Sequence, residues 1–345
     1  MSPSIRESAT FIAQNSTHVK INDGKISEFC EKLFSNSKIP DVNFNHPLHP
    51  DCKKDKDFMD WIFVIDSLNF CFWKSPNQVQ WSVTYEDVTY TGYFALCAAL
   101  KKAKDNGINI SDPKVNVKLS LDQFKDILKG DNEALPHLVE ERHKFLVENS
   151  NILIGKYQGS FENVVKKANS SATKLLSTVI EDFPSFRDES EFLGTKVAFY
   201  KRAQILVADL HFCANSTSAE DSSELNPRLA SCTFHDIHEL TMFADYRVPQ
   251  VLKYFGILEY SDTLMKALNQ TEFKDPDSTF ESELRGNSIE AVERIVATMR
   301  QLNGATEQSK SINAVSVDVF LWNYRREHVE EIDREPYHRV ISVYY

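Results

Sequence analysis

The sequence predicts a predominantly helical α+β protein with one small antiparallel sheet. From residue 93 onward, apolar residues recur at three- and four-residue spacing, which is the pattern of amphipathic helices. Before that point, residues 58–73 are rich in β-branched and aromatic side chains, which favour strands. With 42% hydrophobic residues among 345, the chain can fill one continuous core. We therefore predict a single domain over residues 1–345, with its sheet-forming part at about 40–92 and its helical part at about 93–335.

The predicted sheet draws on three segments. Residues 58–73 are expected to form a strand, a turn and a second strand, because the run is apolar and bounded by polar residues. Residues 80–85 and 88–91 alternate between apolar and polar around a two-residue turn, which predicts a hairpin. The C-terminal tail, residues 338–345, is expected to join this sheet as a last strand.

Helices are predicted wherever apolar spacing of 3.6 residues is bounded by a start or stop signal. Ser120 and Gln123 form a capping box, for example, and Pro249 stands at a helix start. Loops are predicted at 40–57 and at the Ser-, Glu- and Asp-rich 213–226. The predicted helices are 4–14, 25–34, 93–104, 120–128, 133–149, 161–168, 172–181, 191–212, 235–243, 249–255, 289–302 and 312–327.

Composition excludes several classes of function. The net charge of −11 argues against polymeric nucleic acid as a partner, because polyphosphate binding depends on clustered Lys and Arg. No apolar run approaches the ~20 residues of a membrane-spanning helix, and the first residues carry no signal core, so we expect no membrane partner. The expected location is cytoplasmic, with the nucleus as an alternative. Six cysteines without a C-x-x-C pair predict reduced thiols.

The most informative polar residue is Asp318, which stands alone in the apolar run of residues 314–324. Burying an ionised carboxylate costs several kcal/mol, roughly, unless it is paired or hydrogen-bonded. Asp318 is therefore either one half of a structural ion pair or a carboxylate that faces a cleft and takes part in catalysis.

A second group of polar residues lies at 234–250, where Asp236, Asp245 and Arg247 occur among apolar neighbours. Asp245 is a candidate catalytic carboxylate. The alternative is that Asp245 caps the helix that begins near Pro249 and that Arg247 is part of an ion pair.

Metal ligands are not predicted. His235 and His238 are one helical turn apart, and His46, His49 and Cys52 are regularly spaced. Neither set supplies the three or four ligands, at matching spacing, that a protein zinc site requires.

Three cationic groups are candidates for binding a phosphate: Lys201 with Arg202, Arg247, and Arg285. Lys201 and Arg202 interrupt an otherwise apolar helix, where a long cation is usually paired or extends to the surface. Arg285 is the third candidate, because its neighbours resemble a helix N-terminus with free backbone donors. Each of these residues has a structural alternative, and we expect Lys201 and Arg247 to form the better phosphate pair.

Five strings of the sequence are long or distinctive enough to compare with known families. They are Asp60-Trp-Ile-Phe-Val-Ile-Asp-Ser-Leu-Asn-Phe70, Phe199-Tyr-Lys-Arg-Ala-Gln-Ile-Leu-Val-Ala-Asp209, Leu240-Thr-Met-Phe-Ala-Asp-Tyr-Arg-Val-Pro-Gln250, Glu283-Leu-Arg-Gly286 and Asp318-Val-Phe-Leu-Trp322. They resemble the queuosine salvage family, the queuosine 5′-phosphate N-glycosylases, and the resemblance runs from about residue 30 to the C-terminus. It implies a helical fold similar to that of DNA glycosylases, with a small added sheet. It also implies hydrolysis of queuosine 5′-phosphate to queuine and ribose 5-phosphate, without a cofactor.

The resemblance assigns roles to particular positions. The family's catalytic carboxylate falls on Asp318, and Trp322 is an expected substrate contact in the same string. Asn323 departs from the family pattern, in which an Asp often follows the Leu-Trp pair. A five-residue step also rotates ~140° on an ideal helix, so Asp318 and Asn323 share a pocket only if the pocket wraps the helix. The positions implied to contact queuine are His49, Phe234, Asp236 and Asn323.

The residue types suit N-glycoside hydrolysis. Cleavage builds positive charge on the ribose, and a carboxylate such as Asp318 stabilises that charge or aligns water. A 7-deazapurine lacks the N7 at which ordinary purine leaving groups are protonated, so the base must be held by its other polar edge. Asp236 is expected to accept from that edge while Phe234 stacks on the ring. The alternatives are a DNA-repair glycosylase, against which the charge of −11 argues, and a non-enzymatic helical scaffold.

Overall fold

Helices form most of the chain, and the predicted class, predominantly helical α+β, is confirmed. The computed structural model describes residues 3–34, 46–75, 77–215, 228–270, 279–304 and 312–345. Parts of the two predicted loops, residues 40–45 and 216–226, lie outside this description. None of the described helices is both long enough and apolar enough to cross a membrane.

The helices are numbered in chain order. Those of the first half are α1 (Ile5–Asn15), α2 (Asp23–Phe29, continued by a π-helical turn over Cys30–Phe34), α3 (Phe58–Ser67), α4 (Gly92–Asp105), α5 (Pro113–Asn116), α6 (Leu121–Leu128), α7 (Val139–Lys156), α8 (Glu162–Ala168) and α9 (Ala172–Asp182). Those of the second half are α10 (Lys201–Asn215), α11 (Val248–Tyr254), α12 (Asp262–Leu268), α13 (Thr279–Asn303), α14 (Ala314–Glu327) and α15 (Val329–Ile332). The predicted capping box of Ser120 and Gln123 is present at the start of α6.

The described strands form three separate two-stranded antiparallel sheets instead of one. The predicted hairpin is confirmed, and its turn residues Glu86 and Asp87 both have positive φ, 48° and 63°. Such a turn matches the twist of the strands that it joins. The pairs are β1 (Val19–Ile21) with β6 (Leu258–Tyr260), β2 (Ser82–Tyr85) with β3 (Val88–Thr91), and β4 (Glu189–Phe192) with β5 (Thr195–Ala198).

The predicted strand, turn and strand at 58–73 is wrong, because residues 58–67 form helix α3. All ten residues of α3 are buried, including its two carboxylates, Asp60 and Asp66. A helix that is enclosed on every side has no polar face, so its sequence lacks the 3.6-residue period that marks a surface helix. The run was therefore indistinguishable from a buried strand by pattern.

Two further predictions fail at chain reversals. The helix expected over 191–212 begins only at Lys201, because Leu193 and Gly194 adopt positive φ and join β4 to β5. The helix expected over 235–243 is reduced to a single 3-10 turn, Ile237–Glu239. In both places the apolar spacing predicts a helix, but the chain forms a turn instead.

The C-terminal tail also differs from its prediction. It forms no strand with β2 and β3, but it is fixed against the segment that follows α3. The indole N–H of Trp73 donates to the carbonyl of Val340 at 2.9 Å, and the backbone N–H of Cys71 donates to the carbonyl of Tyr345 at 2.8 Å. The tail therefore closes over the same region that the prediction assigned to it, without adding to a sheet.

The prediction of six reduced thiols is wrong for one pair. Cys52 and Cys213 form a disulfide, with their Cα atoms 6.2 Å apart across a sequence separation of 161 residues. The two residues lie on a loop before α3 and near the end of α10, so only the tertiary fold brings them together. The other cysteines, Cys30, Cys71, Cys97 and Cys232, are free and buried.

The described helices surround two large apolar clusters. The first contains side chains of α3, α4 and α6 to α10, with Trp61 and Phe63 of α3 completely buried in it. The second is built from α1, α2 and α11 to α14, together with β5 and β6. A third, smaller cluster contains Phe70, Cys71 and Trp73, and Tyr337 and Val343 of the C-terminal tail pack against it.

A buried ion pair joins these helices. Arg285 of α13 donates both terminal nitrogens to Asp188, at 2.9 and 2.6 Å, and its Nε to the carbonyl of Ala244 at 2.9 Å. Asp188 also accepts from the backbone N–H of Lys201, the first residue of α10, at 3.0 Å. The pair is about 2% exposed. The ion pair thus fixes α13 to two other parts of the chain. Asp188 holds the start of α10, and Arg285 holds the loop before Asp245.

Replacing Arg285 with Met should lower the free energy of unfolding by on the order of 3–5 kcal/mol, because Asp188 would remain charged and buried without its partner. Urea denaturation of the two proteins measures this change. The matched control is Arg294→Met on the same helix, whose pairs with Asp23 and Glu290 are partly exposed and should be worth about 1 kcal/mol or less. Equal effects of the two substitutions would contradict the role assigned to Arg285.

Candidate active site

An open cavity of about 880 Å³ lies between the two groups of helices. This volume is within the range of small-molecule sites. Its walls come from the start of α4, one face of α10, the loop before α11, α14 and the C-terminal tail. Phe234, Asp236 and Arg285 are not among its lining residues. The predicted site residues that do line it are His49, Lys201, Asp245, Arg247, Asp318, Trp322 and Asn323.

Asp318 is buried at the cavity wall. It lies in the second turn of α14, which Asn313 opens with a capping box to Ser316. Its Oδ1 accepts from the backbone N–H of Phe243 at 2.9 Å, and the residue is 5% exposed. Burial raises the pKa of the Asp318 carboxyl well above its ordinary value, and the nearby charge of Asp245 raises it further, while the Phe243 N–H opposes both effects.

Asp245 caps a helix and also lines the cavity. Its Oδ1 accepts from the backbone N–H groups of Arg247 and Val248, both at 2.8 Å, so it caps helix α11. It also lines the cavity, close enough for its charge to act on Asp318. A carboxylate oriented by two backbone donors keeps a fixed position beside the second carboxylate.

Lys201 supplies a cation next to these carboxylates. Its Nζ donates to the carbonyl of Asn69 at 3.4 Å, and the residue is 6% exposed. Burial lowers the pKa of the Lys201 ammonium, and the charges of Asp245, Asp66 and Asp318 act in the opposite direction. Lys201 therefore partly neutralises the acidic wall of the cavity.

His49 is held as a neutral imidazole. Trp61 donates its indole N–H to Nδ1 at 3.2 Å, so the ring proton belongs on Nε2, which lies 3.4 Å from the hydroxyl of Tyr93. Burial, together with the nearby His46, lowers the pKa of His49 to about 3. The ring therefore offers hydrogen bonding to the cavity without a charge.

Aromatic rings form another wall. Phe94 of α4 stacks against His46, with ring centroids 4.3 Å apart, and the guanidinium of Arg326 lies over both Phe94 and Trp322. Trp322 and Asn323 follow Asp318 by four and five residues on α14. The cavity wraps this helix, since Val319 also lines it, and so it reaches both Asp318 and Asn323 despite the rotation between them.

Phe234 is not positioned for base stacking in this cavity. It is 2% exposed, its backbone N–H donates to Nδ1 of His211 at 3.1 Å, and its ring stacks on that imidazole. Its side chain belongs to the first apolar cluster. This packing contradicts the expectation that Phe234 stacks on the base.

Asp236 also has a structural position. Its carboxylate accepts from the backbone N–H of Ala172 at 2.5 Å and from the hydroxyls of Ser171 and Thr173 at 2.8 and 2.7 Å. These donors keep the pKa of Asp236 well below its ordinary value despite partial burial. The residue thus caps helix α9 away from the cavity, because the turn at 237–239 directs the chain back to α9.

Phe243 lines the cavity beside Asp245 but was not predicted from the sequence. The Phe-x-Asp spacing of Phe234 and Asp236 recurs at Phe243 and Asp245, and only the second copy lines the cavity. The repeated spacing was a visible signal. Choosing between the two copies required the tertiary structure, because both lie in loops with similar apolar neighbours.

Guanidinium groups gather around Tyr337 of the tail. Arg247 lies 4.0 Å and Arg339 4.5 Å from the centre of this ring. Arg247 is paired with Asp333 at 3.0 Å, and Arg325 contacts the same carboxylate at 2.7 Å. No ion pair to Arg339 is found among the described residues. Its charge is therefore available to an anion in the cavity, a role that the sequence did not assign to it.

Arg285 is a structural cation instead of a phosphate ligand. Its guanidinium is enclosed by Asp188, Glu281 and the rings of Phe199 and Tyr345. Among the residues that the structure describes, no group of three or more His, Cys, Asp or Glu side chains has the arrangement of a metal site.

A cavity with a buried carboxylate, a neighbouring lysine, aromatic walls and a cluster of guanidinium groups is typical of enzymes that act on small, polar, anionic substrates. The chain belongs to the queuosine salvage protein family, whose family model matches residues 48–345.

Relatives that share one name occur in animals and bacteria. The chain is 41% identical over 344 residues to the queuosine 5′-phosphate N-glycosylase/hydrolase of Mus musculus, covering 99% of this chain and 98% of the relative. It is 39% identical over 347 residues to the protein of that name from Bos taurus, with the same coverage. It is 32% identical over 334 residues to that of Sphaerobacter thermophilus, covering 97% of this chain and 95% of the relative.

If ionised Asp318 is the active form, kcat/KM should fall as pH decreases through the raised pKa of this carboxyl. The acidic limb of the profile should therefore lie above the range of an ordinary Asp. Asp245→Asn removes the like charge, lowers the pKa of Asp318, and should move this limb toward lower pH. A pH series of kcat/KM for both proteins measures the shift, and a limb that stays in place or moves toward higher pH would contradict the coupling.

Proposed function

We propose that this protein hydrolyses the N-glycosidic bond of queuosine 5′-phosphate and releases queuine and ribose 5-phosphate. The observation that carries the proposal is the position of Asp318, a buried carboxylate oriented by the Phe243 N–H at the wall of a cavity large enough for a mononucleotide. The names of the relatives support the choice of substrate. The proposal also includes a cytoplasmic location, where the released queuine becomes available for tRNA modification.

Asp318 acts on the ribose. As the bond to the base breaks, positive charge develops at the anomeric carbon, and a fixed carboxylate beneath the sugar stabilises it. The Phe243 N–H occupies Oδ1 and fixes the carboxyl group, so little reorganisation is needed during the reaction. Burial of Asp318 strengthens this electrostatic interaction.

The departing base is held by Phe243, Asp245, His49 and Asn323. Both backbone donors to Asp245 bind Oδ1, and no described residue donates to its Oδ2, which is free to accept from a guanine-like N–H edge. The neutral His49 and the amide of Asn323 supply uncharged hydrogen bonds, and the aromatic wall at Phe94 and Trp322 stacks on a flat ring. The base departs with the bonding electrons on its ring nitrogen, water adds to the anomeric carbon, and the proton that this water loses returns to that nitrogen to give neutral queuine.

The phosphate is bound by Arg339, Arg247 and Lys201. The two guanidinium groups stack on one tyrosine ring, which limits their motion and directs them toward the cavity. Binding energy from the phosphate, which is remote from the reacting bond, positions the ribose over Asp318. The cavity is lined by α10, which packs in the first apolar cluster, and by α14, which packs in the second, so we propose that the chain works as a single catalytic domain.

Incubation with queuosine 5′-phosphate, followed by mass spectrometry, should detect queuine and ribose 5-phosphate. Asp318→Asn should reduce kcat/KM on the order of 10²-fold or more, because the amide cannot stabilise the developing charge. Asp126→Asn, at an exposed position on α6, is the matched control and should leave turnover unchanged. Absence of queuine with the unmodified protein would refute the proposed reaction, and full turnover by a folded Asp318→Asn protein would refute the assignment of Asp318.

Arg339→Met should lower kcat/KM for queuosine 5′-phosphate by roughly 10- to 100-fold, the worth of a hydrogen bond to a charged group, and leave the value for queuosine nearly unchanged. Arg247→Met and Lys201→Met should show the same selective loss. The readout is the ratio of the two kcat/KM values for each variant. The control is Arg334→Met, an exposed arginine outside the cavity lining. Equal losses on both substrates would mean that the residue supports the fold or the base pocket instead of the phosphate.

A further inference from the structure

One carboxylate in the cavity has no role in the reaction described above. Four carboxylates line the described part of the cavity: Asp209, Asp245, Asp318 and Asp333. The last three accept hydrogen bonds from backbone groups or arginines. For Asp209, no hydrogen bond or ion pair is found among the described residues. Asp209 is half-buried, and desolvating a carboxylate without a partner is costly, so its presence calls for a ligand.

The position of Asp209 places it beside the base pocket. Lys201, Ile205, Asp209 and Phe212 follow each other on α10 at steps of four, four and three residues, and all four line the cavity. Asp209 is therefore about 12 Å along the helix axis from Lys201. Next to it is Tyr93, whose hydroxyl lies 3.4 Å from His49. Aromatic and aliphatic side chains, Tyr93, Phe212 and Ile205, line the cavity on this side.

A second buried carboxylate reinforces the negative character of this corner. Asp66 of α3 is 0% exposed, its Oδ1 accepts weakly from Asn69 at 3.4 Å, and its Oδ2 has no hydrogen-bond partner. Burial raises the pKa of Asp66 to about 7 and that of Asp209 well above its ordinary value, and the charge of Asp66 adds to the increase at Asp209. Lys201 is the cation that opposes this effect. The charge of Asp66 therefore acts on Asp209, and Lys201 compensates the negative charge of the two carboxyl groups only in part.

We propose that Asp209 binds the cationic arm of the base and selects for 7-deazaguanine nucleotides that carry an ammonium group at this position. This inference rests on the proposed function. Queuine carries at C7 an aminomethyl arm linked to a cyclopentenediol, and its secondary amine is protonated at neutral pH. An ammonium group in an apolar pocket requires a carboxylate partner, and the pocket supplies Asp209 with no competing donor. The remaining apolar contacts, Ile205 and Phe212, suit the hydrocarbon part of the arm.

The proposal predicts that Asp209 determines the preference for queuine over 7-deazaguanine. Unmodified protein should bind queuine more tightly than 7-deazaguanine, which lacks the arm. Asp209→Asn should weaken queuine binding by on the order of 10- to 100-fold, since a charged hydrogen bond is lost, and leave 7-deazaguanine binding unchanged. Asp209→Glu keeps the charge and should retain part of the preference. Calorimetric titration with the free bases measures all of these affinities and requires no turnover.

Thermal stability supplies a readout that a structural role would not give. Because the carboxylate lacks a partner in the free protein, Asp209→Asn should keep or raise Tm while it weakens queuine binding. A residue that supported the fold would instead lower Tm and affect both bases. Asp126→Asn again serves as the control for effects of an Asp-to-Asn substitution elsewhere on the protein.

The outcomes separate this inference from the proposed reaction. If unmodified protein binds queuine in preference to 7-deazaguanine through Asp209 but releases no queuine from the nucleotide, the subsite stands and the hydrolysis proposal fails. If turnover is present but Asp209→Asn binds both bases as the unmodified protein does, the subsite is overturned and the hydrolysis proposal stands. Equal weakening for the two bases, or a lower Tm with loss of both, would also overturn the role of Asp209.

Discussion

The buried pair of Asp188 and Arg285 is the interaction on which the arrangement of the site depends. Its guanidinium is held on α13 and binds the carbonyl of Ala244, next to Asp245, while its carboxylate binds the backbone N–H of Lys201. The start of α10 and the loop that carries Phe243 and Asp245 are therefore positioned by one ion pair. Such a pair need not add net stability over an apolar substitute, but removing one partner leaves a buried charge. Its value in this fold is that it fixes the relative positions of groups that come from distant parts of the chain.

The cavity concentrates negative charge in a partly buried space, and the fold compensates only some of it. Asp245 and Asp318 are oriented by backbone N–H groups, and Asp333 is neutralised by arginines. Among the described residues, Lys201 and Arg202 offset the remaining buried carboxylates, and burial lowers the pKa of both cations. A substrate that brings a developing cation to Asp318 and a permanent one to Asp209 would complete the charge balance. The anionic end of the same substrate would meet the guanidinium groups at Tyr337. The charge pattern of the cavity thus complements a molecule with both signs of charge, and this complementarity favours specificity over tight nonselective binding.

The errors of sequence reasoning share physical causes. Helix α3 was mistaken for strands because a helix buried on all sides shows no amphipathic period. The family resemblance implies that Phe234 and Asp236 contact the base, but packing against His211 and capping of α9 already account for them. The disulfide between Cys52 and Cys213 joins residues 161 positions apart, and no local pattern predicts such a contact. In each case the deciding contact is tertiary.

Local sequence information was sufficient for the helical class, for most helices with clear caps, for the β2–β3 hairpin and for the isolation of Asp318, because periodicity, turn residues and a lone carboxylate in an apolar run are local properties. The same information could name Lys201, Asp245 and Arg247 as unusual but could not place them together. These residues reach one cavity only through the packing of α10, α14, the loop before α11 and the C-terminal tail. The same packing pairs Arg285 with Asp188 and places Phe243, but not Phe234, at the cavity wall. It also leaves Asp209 and Arg339 facing the cavity. Which polar groups are already paired is a property of three-dimensional packing, and that pairing decides which of them remain available to a substrate.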